Sequence, residues 1–144
     1  ESPDDSNNSN ITNENTGPTL WTGAATTFNK PDGSNPNLEE NQDRITENVW
    51  ITRENTGGQI FNIAIYNSAD KTESPVGTEW AIGTLEELDN LTFDYFRNAI
   101  SRPKTVVGKN LVLHLIEDDI YIYVKFTSWS QGKRGGFSYE RSTP

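Results

Sequence analysis

The stretch from Leu111 to Trp129, LVLHLIEDDIYIYVKFTSW, limits the fold more than any other part of the chain. Side chains alternate across a β-strand, so apolar residues at every second position mark one buried face. Leu111, Leu113 and Leu115 share a face, with Val112, His114 and Ile116 on the reverse. Ile120, Ile122, Val124 and Phe126 share a face, with Tyr121, Tyr123, Lys125, Thr127 and Trp129 on the other. A tight turn at Glu117-Asp118 sets Leu115 opposite Ile120, Leu113 opposite Ile122 and Leu111 opposite Val124. A slip of one residue would turn one strand's apolar set toward water, so burial itself specifies this pairing. An isolated hairpin is marginal in water, and its apolar face demands a second layer.

The remainder supplies candidates for that layer. TLWTGAATTF (19–28), RITENVWITRE (44–54), QIFNIAIY (59–66) and TEWAIGT (78–84) are rich in Thr, aromatic or branched residues and read as strands. In the second, Val49 and Ile51 face one way, Trp50 and Thr52 the other. In the third, Phe61, Ile63 and Ile65 form the expected core face, opposite Ile60, Asn62, Ala64 and Tyr66. Polar loops with Pro, Gly and Asn separate them at 29–43, 55–58 and 67–77. The helix candidate spans 84–101, where Thr84 and Glu87 have capping-box spacing and Thr92 caps a second short turn. Short strands, frequent turns and little helix predict an all-β fold over 19–144: an antiparallel β-sandwich, jelly-roll-like, with at most one or two short helices.

Residues 1–18 read differently. Ile11 is the one large apolar side chain in ESPDDSNNSNITNENTG, and burial there cannot offset the entropy of ordering. A disordered leader or tether is expected. The formal charge is −9, of which Glu1, Asp4, Asp5 and Glu14 account for −4. An acidic surface without a basic stripe repels phosphate backbones and anionic membranes, which argues against nucleic acid as a partner. The chain has no Cys, which removes disulfides, thiol nucleophiles and zinc–thiolate sites. No apolar run approaches membrane-spanning length.

Candidate functional residues cluster around the hairpin. Glu117, Asp118 and Asp119 are first a solvated turn; a calcium role is the alternative, although adjacent acids offer few oxygens to one ion. The loop holding Asp32, Ser34, Asn35, Asn37, Glu39 and Asp43 is a second oxygen-rich candidate without EF-hand spacing. On the outward face, His114 is expected opposite Tyr121 and Val112 opposite Tyr123, with Lys125 between and Trp129 continuing the row. Such rings are usually covered core; left open, they stack on the apolar faces of sugars. Lys133 and Arg134 lie between glycines at a loop tip near Trp129, an ordinary charged tip or a clamp for carboxylate or sulfate. His114 is the sole His and the only candidate general base, and a lone His on a strand more often packs than catalyses. No nucleophile-elbow, zincin or phosphate-loop motif is present, so no catalytic residue is assigned.

ENVWITR (47–53), SPVGTEWAIGT (74–84), VGKNLVLHLIEDDIYIYVKFTSWS (107–130) and GGFSYERSTP (135–144) resemble a group of bacterial secreted or cell-surface β-domains with no assigned activity. The resemblance implies export and a β fold and transfers no functional residues. The start ESPDD resembles the acidic beginning of a surface lipoprotein after its lipidated Cys, a residue this chain lacks. The expected function is a non-catalytic polysaccharide binder, extracellular or on the outer cell surface, with membrane contact only through an N-terminal lipid anchor. Its ligand-binding residues would be His114, Tyr121, Tyr123, Lys125, Trp129, Lys133 and Arg134, and a basic patch beside aromatics suits an anionic polymer. The alternatives are an adhesion or assembly protein that binds another protein and, behind both, a small polysaccharide lyase or hydrolase.

Overall fold

The structure, a computed structural model, describes residues 17–70 and 72–144. The expected leader lies, but for Gly17 and Pro18, outside the described residues. Nine strands form within them: β1 (Thr19–Trp21), β2 (Thr26–Lys30), β3 (Asp43–Thr46), β4 (Val49–Glu54), β5 (Gly57–Asn62), β6 (Thr78–Ile82), β7 (Leu111–Leu115), β8 (Ile120–Trp129) and β9 (Phe137–Arg141). The larger sheet runs β2-β9-β8-β7-β6, and the smaller runs β3-β4-β5. All pairings are antiparallel except β1 with β8. β1 pairs with residues 120–122 of β8, where β9, which begins pairing at Val124, leaves the edge open. The expected all-β, antiparallel sandwich is what the chain forms.

The hairpin register is the expected one: Leu111 with Val124, Leu113 with Ile122, Leu115 with Ile120. These residues join Trp80, Phe126, Phe137 and Tyr139 from the same sheet, and Ile45, Val49, Ile51 and Ile60 from the smaller sheet, in one core. Each fully buried Leu, Ile or Phe contributes about 1.5–3 kcal/mol relative to exposure, so this shared core holds the layers together. A polar pin crosses the same interface. Asp43 on β3 accepts from the Tyr139 hydroxyl at 2.5 Å and from Arg141 Nε and Nη2 at 2.8 and 3.0 Å on β9.

Four expectations change. Residues 44–54 are not one strand: a turn at Glu47-Asn48 separates β3 from β4, with the Asn48 N–H donating to Thr46 Oγ1. Residues 19–28 likewise divide, because β1 and β2 pair with different strands. In β5 the core face belongs to Ile60, while Phe61 is buried on the reverse and Ile65, beyond the strand end, is exposed. Asn62 ends that strand. Its Oδ1 accepts from the Trp50 and Ala64 N–H groups, and its Nδ2 donates to the Asn48 and Val76 carbonyls. Finally, 84–101 is not a continuous helix. Thr84 and Glu87 do cap a turn, the Thr84 N–H donating to Glu87 Oε1 at 3.0 Å, but it is a 3₁₀ segment, Leu85–Asn90. The α-helix α1 (Phe96–Ile100) then inserts Phe96 and Ile100 into the core, Phe96 packing 4.8 Å from Trp80. The paired Trp80 and Asp94 backbones impose an extended break between the two.

Candidate functional site: a cationic cleft at the bulged end of β8

The outward face of the hairpin is built as expected at one end. His114 stands opposite Tyr121, and the rings stack at 4.1 Å with 5° between their planes. At this end the face is partly covered, however. Phe93 sets its ring against both, at 6.0 and 5.7 Å, and His114 is only 8% exposed. Both imidazole nitrogens face carboxylates: Nδ1 lies 2.7 Å from Glu79 Oε2 and Nε2 lies 2.8 Å from Asp119 Oδ1. Tyr123, half-buried, donates its hydroxyl to Glu140 Oε2 at 3.2 Å, and Lys125 is paired across the strands with Glu140. Burial pushes both phenols up, reinforced by the Asp119 and Glu79 charges at Tyr121 and by Glu140 at Tyr123. The region is a packed surface with Tyr121, Tyr123 and Lys125 partly open.

The three turn acids do not converge. Asp119, with a positive φ of 53°, turns to His114, while Asp118 accepts from Asn48 Nδ2 at 3.3 Å and Glu117 is exposed. In the second candidate loop Asp43 is committed to Tyr139 and Arg141. Among the described residues no three His, Cys, Asp or Glu side chains are grouped to hold a metal ion, so the calcium reading of Glu117, Asp118 and Asp119 finds no geometric support.

Trp129 does not continue the row. A register shift between Phe126 and Ser128 leaves Thr127 and Ser128 both against Ser138, whose hydroxyl is 2.8 Å from Thr127 Oγ1 and 2.6 Å from Ser128 Oγ. This β-bulge absorbs one residue of alternation. Trp129 therefore turns to the inner side, opposite Phe137, among Phe96, Phe126 and Phe137 at 6.2, 5.9 and 6.1 Å. Its separation from His114, Tyr121 and Tyr123 is a correction to the expected single face.

Burial of Trp129 is incomplete, and its open part lines a cleft of 570 Å³ at this end of the sandwich. Gly58 and Gln59 of β5, Ala69 and Asp70 of the following loop, Arg97 of α1, and Arg102, Pro103 and Lys104 complete the wall. The volume lies within the range of small-ligand sites, about 300–1,000 Å³. Arg53 backs the ring, its guanidinium 3.9 Å from the ring centroid. It is 4% exposed and donates to the Gly58 and Gly136 carbonyls at 2.6 and 2.7 Å. Burial lowers it to about 10. Lys30, also buried and pushed down by desolvation and then by Arg53, donates to the Ser34 and Gly135 carbonyls. A Cβ on Gly135 would lie 2.3 Å from Glu54 O, and one on Gly136 would lie 2.3 Å from Asp32 Oδ1, so close packing requires glycine at both.

Lys133 and Arg134 stay at the exposed tip of the β8–β9 connection and are not among the residues lining the cleft. Arg134 Nε donates to Gln131 O at 2.8 Å, and the tip rests on the Gly57 turn. Sequence reasoning missed Arg53, Gln59, Arg97, Arg102 and Lys104. One signal was present: Arg97 to Lys104 carries three cations and no acid in an otherwise acidic chain. No protein-family model matches this chain, and no curated protein or solved structure is significantly similar to it.

Proposed function

We propose that the protein works outside the cell, secreted or held at the surface, as a non-catalytic polysaccharide-binding protein whose main contact is the Trp129 cleft. The observation that carries this reading is Trp129 itself. It is an indole partly open to a cleft, held in orientation by Arg53 on one face and by three Phe rings packed around it. A ring immobilised before binding loses little entropy when a sugar packs on it. Tyr123 and Lys125 on the far face form a secondary platform at most, since Phe93 covers its neighbours. The lyase reading has less support. His114 packs against Tyr121 with both nitrogens facing carboxylates, and the cleft is lined by one acid, Asp70, whose Oδ1 is engaged by the Thr72 and Glu73 N–H groups.

Binding to oligosaccharides is measured by the intrinsic fluorescence of the wild type and by calorimetry of Trp129→Phe, which keeps an aromatic ring in the core. The expected result is saturable binding that weakens about tenfold in the variant, a loss of about 1.4 kcal/mol. A wild type that binds no oligosaccharide in a broad array removes the reading.

The assembly alternative is favoured by one observation. Ile65, Tyr66, Tyr95 and Ile116 are exposed, Tyr66 by 58%, and Ile65 and Ile116 both adjoin Gly77. Concentration-dependent sedimentation with and without Ile116→Ser tests it.

A further inference from the structure

Resting on the carbohydrate reading, we infer that the cleft selects acidic sugars: pyranose units that carry a carboxylate or sulfate as well as free hydroxyls. Three observations converge. First, Arg97, Arg102 and Lys104 line one wall, and none takes part in an ion pair among the described residues. They face a single acid, Asp70, which its own loop's N–H groups hold below the usual carboxylate range. In a chain of net charge −9, unpaired cations gathered in one concavity create a local field opposite to that of the whole surface. Arg53 behind Trp129 adds a fourth positive charge that no carboxylate pairs among the described residues.

Second, the aromatic member is unsuited to a bare anion. An indole face repels negative charge and packs on C–H groups, so the ligand must offer an apolar surface next to its charge.

Third, Gln59 is 6% exposed and lines the cleft; its Nε2 donates to Asp70 O, which leaves Oε1 an acceptor without a partner. It is the one buried side-chain polar atom so placed among the described residues. A buried unmet acceptor is costly, and a donor from the ligand would recover that cost. Inorganic sulfate presents only acceptors, whereas a sugar hydroxyl donates. Charge, apolar face and hydroxyl donor together describe an acidic pyranose. A nucleic acid fits less well, because the surrounding acidic surface repels an extended phosphate backbone.

The test titrates the full chain with four probes: an oligogalacturonate, a sulfated galactan oligosaccharide, a neutral gluco-oligosaccharide and inorganic sulfate. The variant is Arg97→Gln/Arg102→Gln/Lys104→Gln, whose exposed and unpaired side chains leave the fold unperturbed. Expected is binding of one or both acidic oligosaccharides at least about tenfold tighter than the neutral one. That preference fades as salt rises from about 0.05 to about 0.5 M, and the triple variant loses it. Whether the carboxylate or the sulfate ester is preferred follows from the first two arms. Equal binding of neutral and acidic oligosaccharides, unchanged in the variant, overturns acidic selection and leaves the carbohydrate reading standing. No binding of any oligosaccharide overturns both. Binding of inorganic sulfate alone also overturns the inference, since an anion site without a sugar would then remain.

Discussion

The two halves of β8 differ by one residue of register, and that residue decides what each half presents. From Ile120 to Phe126 inward apolar and outward polar or aromatic side chains alternate without a break, matching β7. Past Phe126 the extra Thr127 lets Trp129 turn inward, while Thr127 and Ser128 share the outside. The regular half becomes a packed surface on which His114, Tyr121 and Phe93 rest on one another, with the Tyr rings only partly open. The bulged half carries a partly open indole to a cationic cleft. Regular pairing builds stability here, and the break in it builds the site.

Deletions test this contrast most severely. Removing Lys125 would turn Phe126 out of the core and Thr127 into it, at a cost of about 3–5 kcal/mol or loss of folding. Removing Thr127 leaves Phe126 in, Ser128 out and Trp129 in without any bulge, at a cost of about 1 kcal/mol or less. Urea unfolding of both deletions checks the account, and equal damage from the two would break it. Next in size is Asp43→Ala, which strands the Arg141 guanidinium and the buried Tyr139 hydroxyl between the sheets. A loss of about 3 kcal/mol is expected, with the proposed oligosaccharide binding kept by whatever fraction remains folded. His114→Gln, in the closed region, should lower stability by about 1–2 kcal/mol through its two lost contacts. Oligosaccharide affinity should not change; a parallel loss of affinity would join two regions that are separate here.

The smallest effect is alkaline. Burial first, and then the neighbouring Asp43 charge, push the Tyr139 phenol well above its ordinary 10. Above pH 10 the unfolded chain gives up this proton while the folded chain keeps it. The folded state then binds more protons, and stability falls as pH rises, by at most about 1.4 kcal/mol per pH unit for this one group. Tyr121 and Tyr123, also raised, add the same sign. Denaturation midpoints at pH 9 and 11 (about one unit either side of the free phenol) should therefore converge in Tyr139→Phe relative to the wild type.

Much of the architecture could be read from composition and period, because side-chain alternation and burial act locally. The Leu111–Ile122 register and the Thr84–Glu87 cap both followed from spacing alone. The turn at Glu47-Asn48 was signalled by Asn48 alone, against a strand-like run on both sides, and the division pays off only when β3 and β4 pair. The same holds for the core face of β5: in sequence Phe61, Ile63 and Ile65 are the more apolar set, yet the partner strand puts Ile60 into the core.

By itself, the sequence determined that apolar faces must pair as antiparallel strands in two layers, that metal–thiolate chemistry is absent, and that the outer surface is acidic. Tertiary structure alone decided which rings stay open and which cations meet Trp129. The bulge turns one indole, Phe93 packs over part of the opposite face, and Arg53 on β4 and the 97–104 stretch with Arg97, Arg102 and Lys104 meet at the same end of the sandwich. The physical reason is range: alternation acts over two residues, whereas a cleft is assembled from segments dozens of residues apart that only the completed packing of the two sheets brings together.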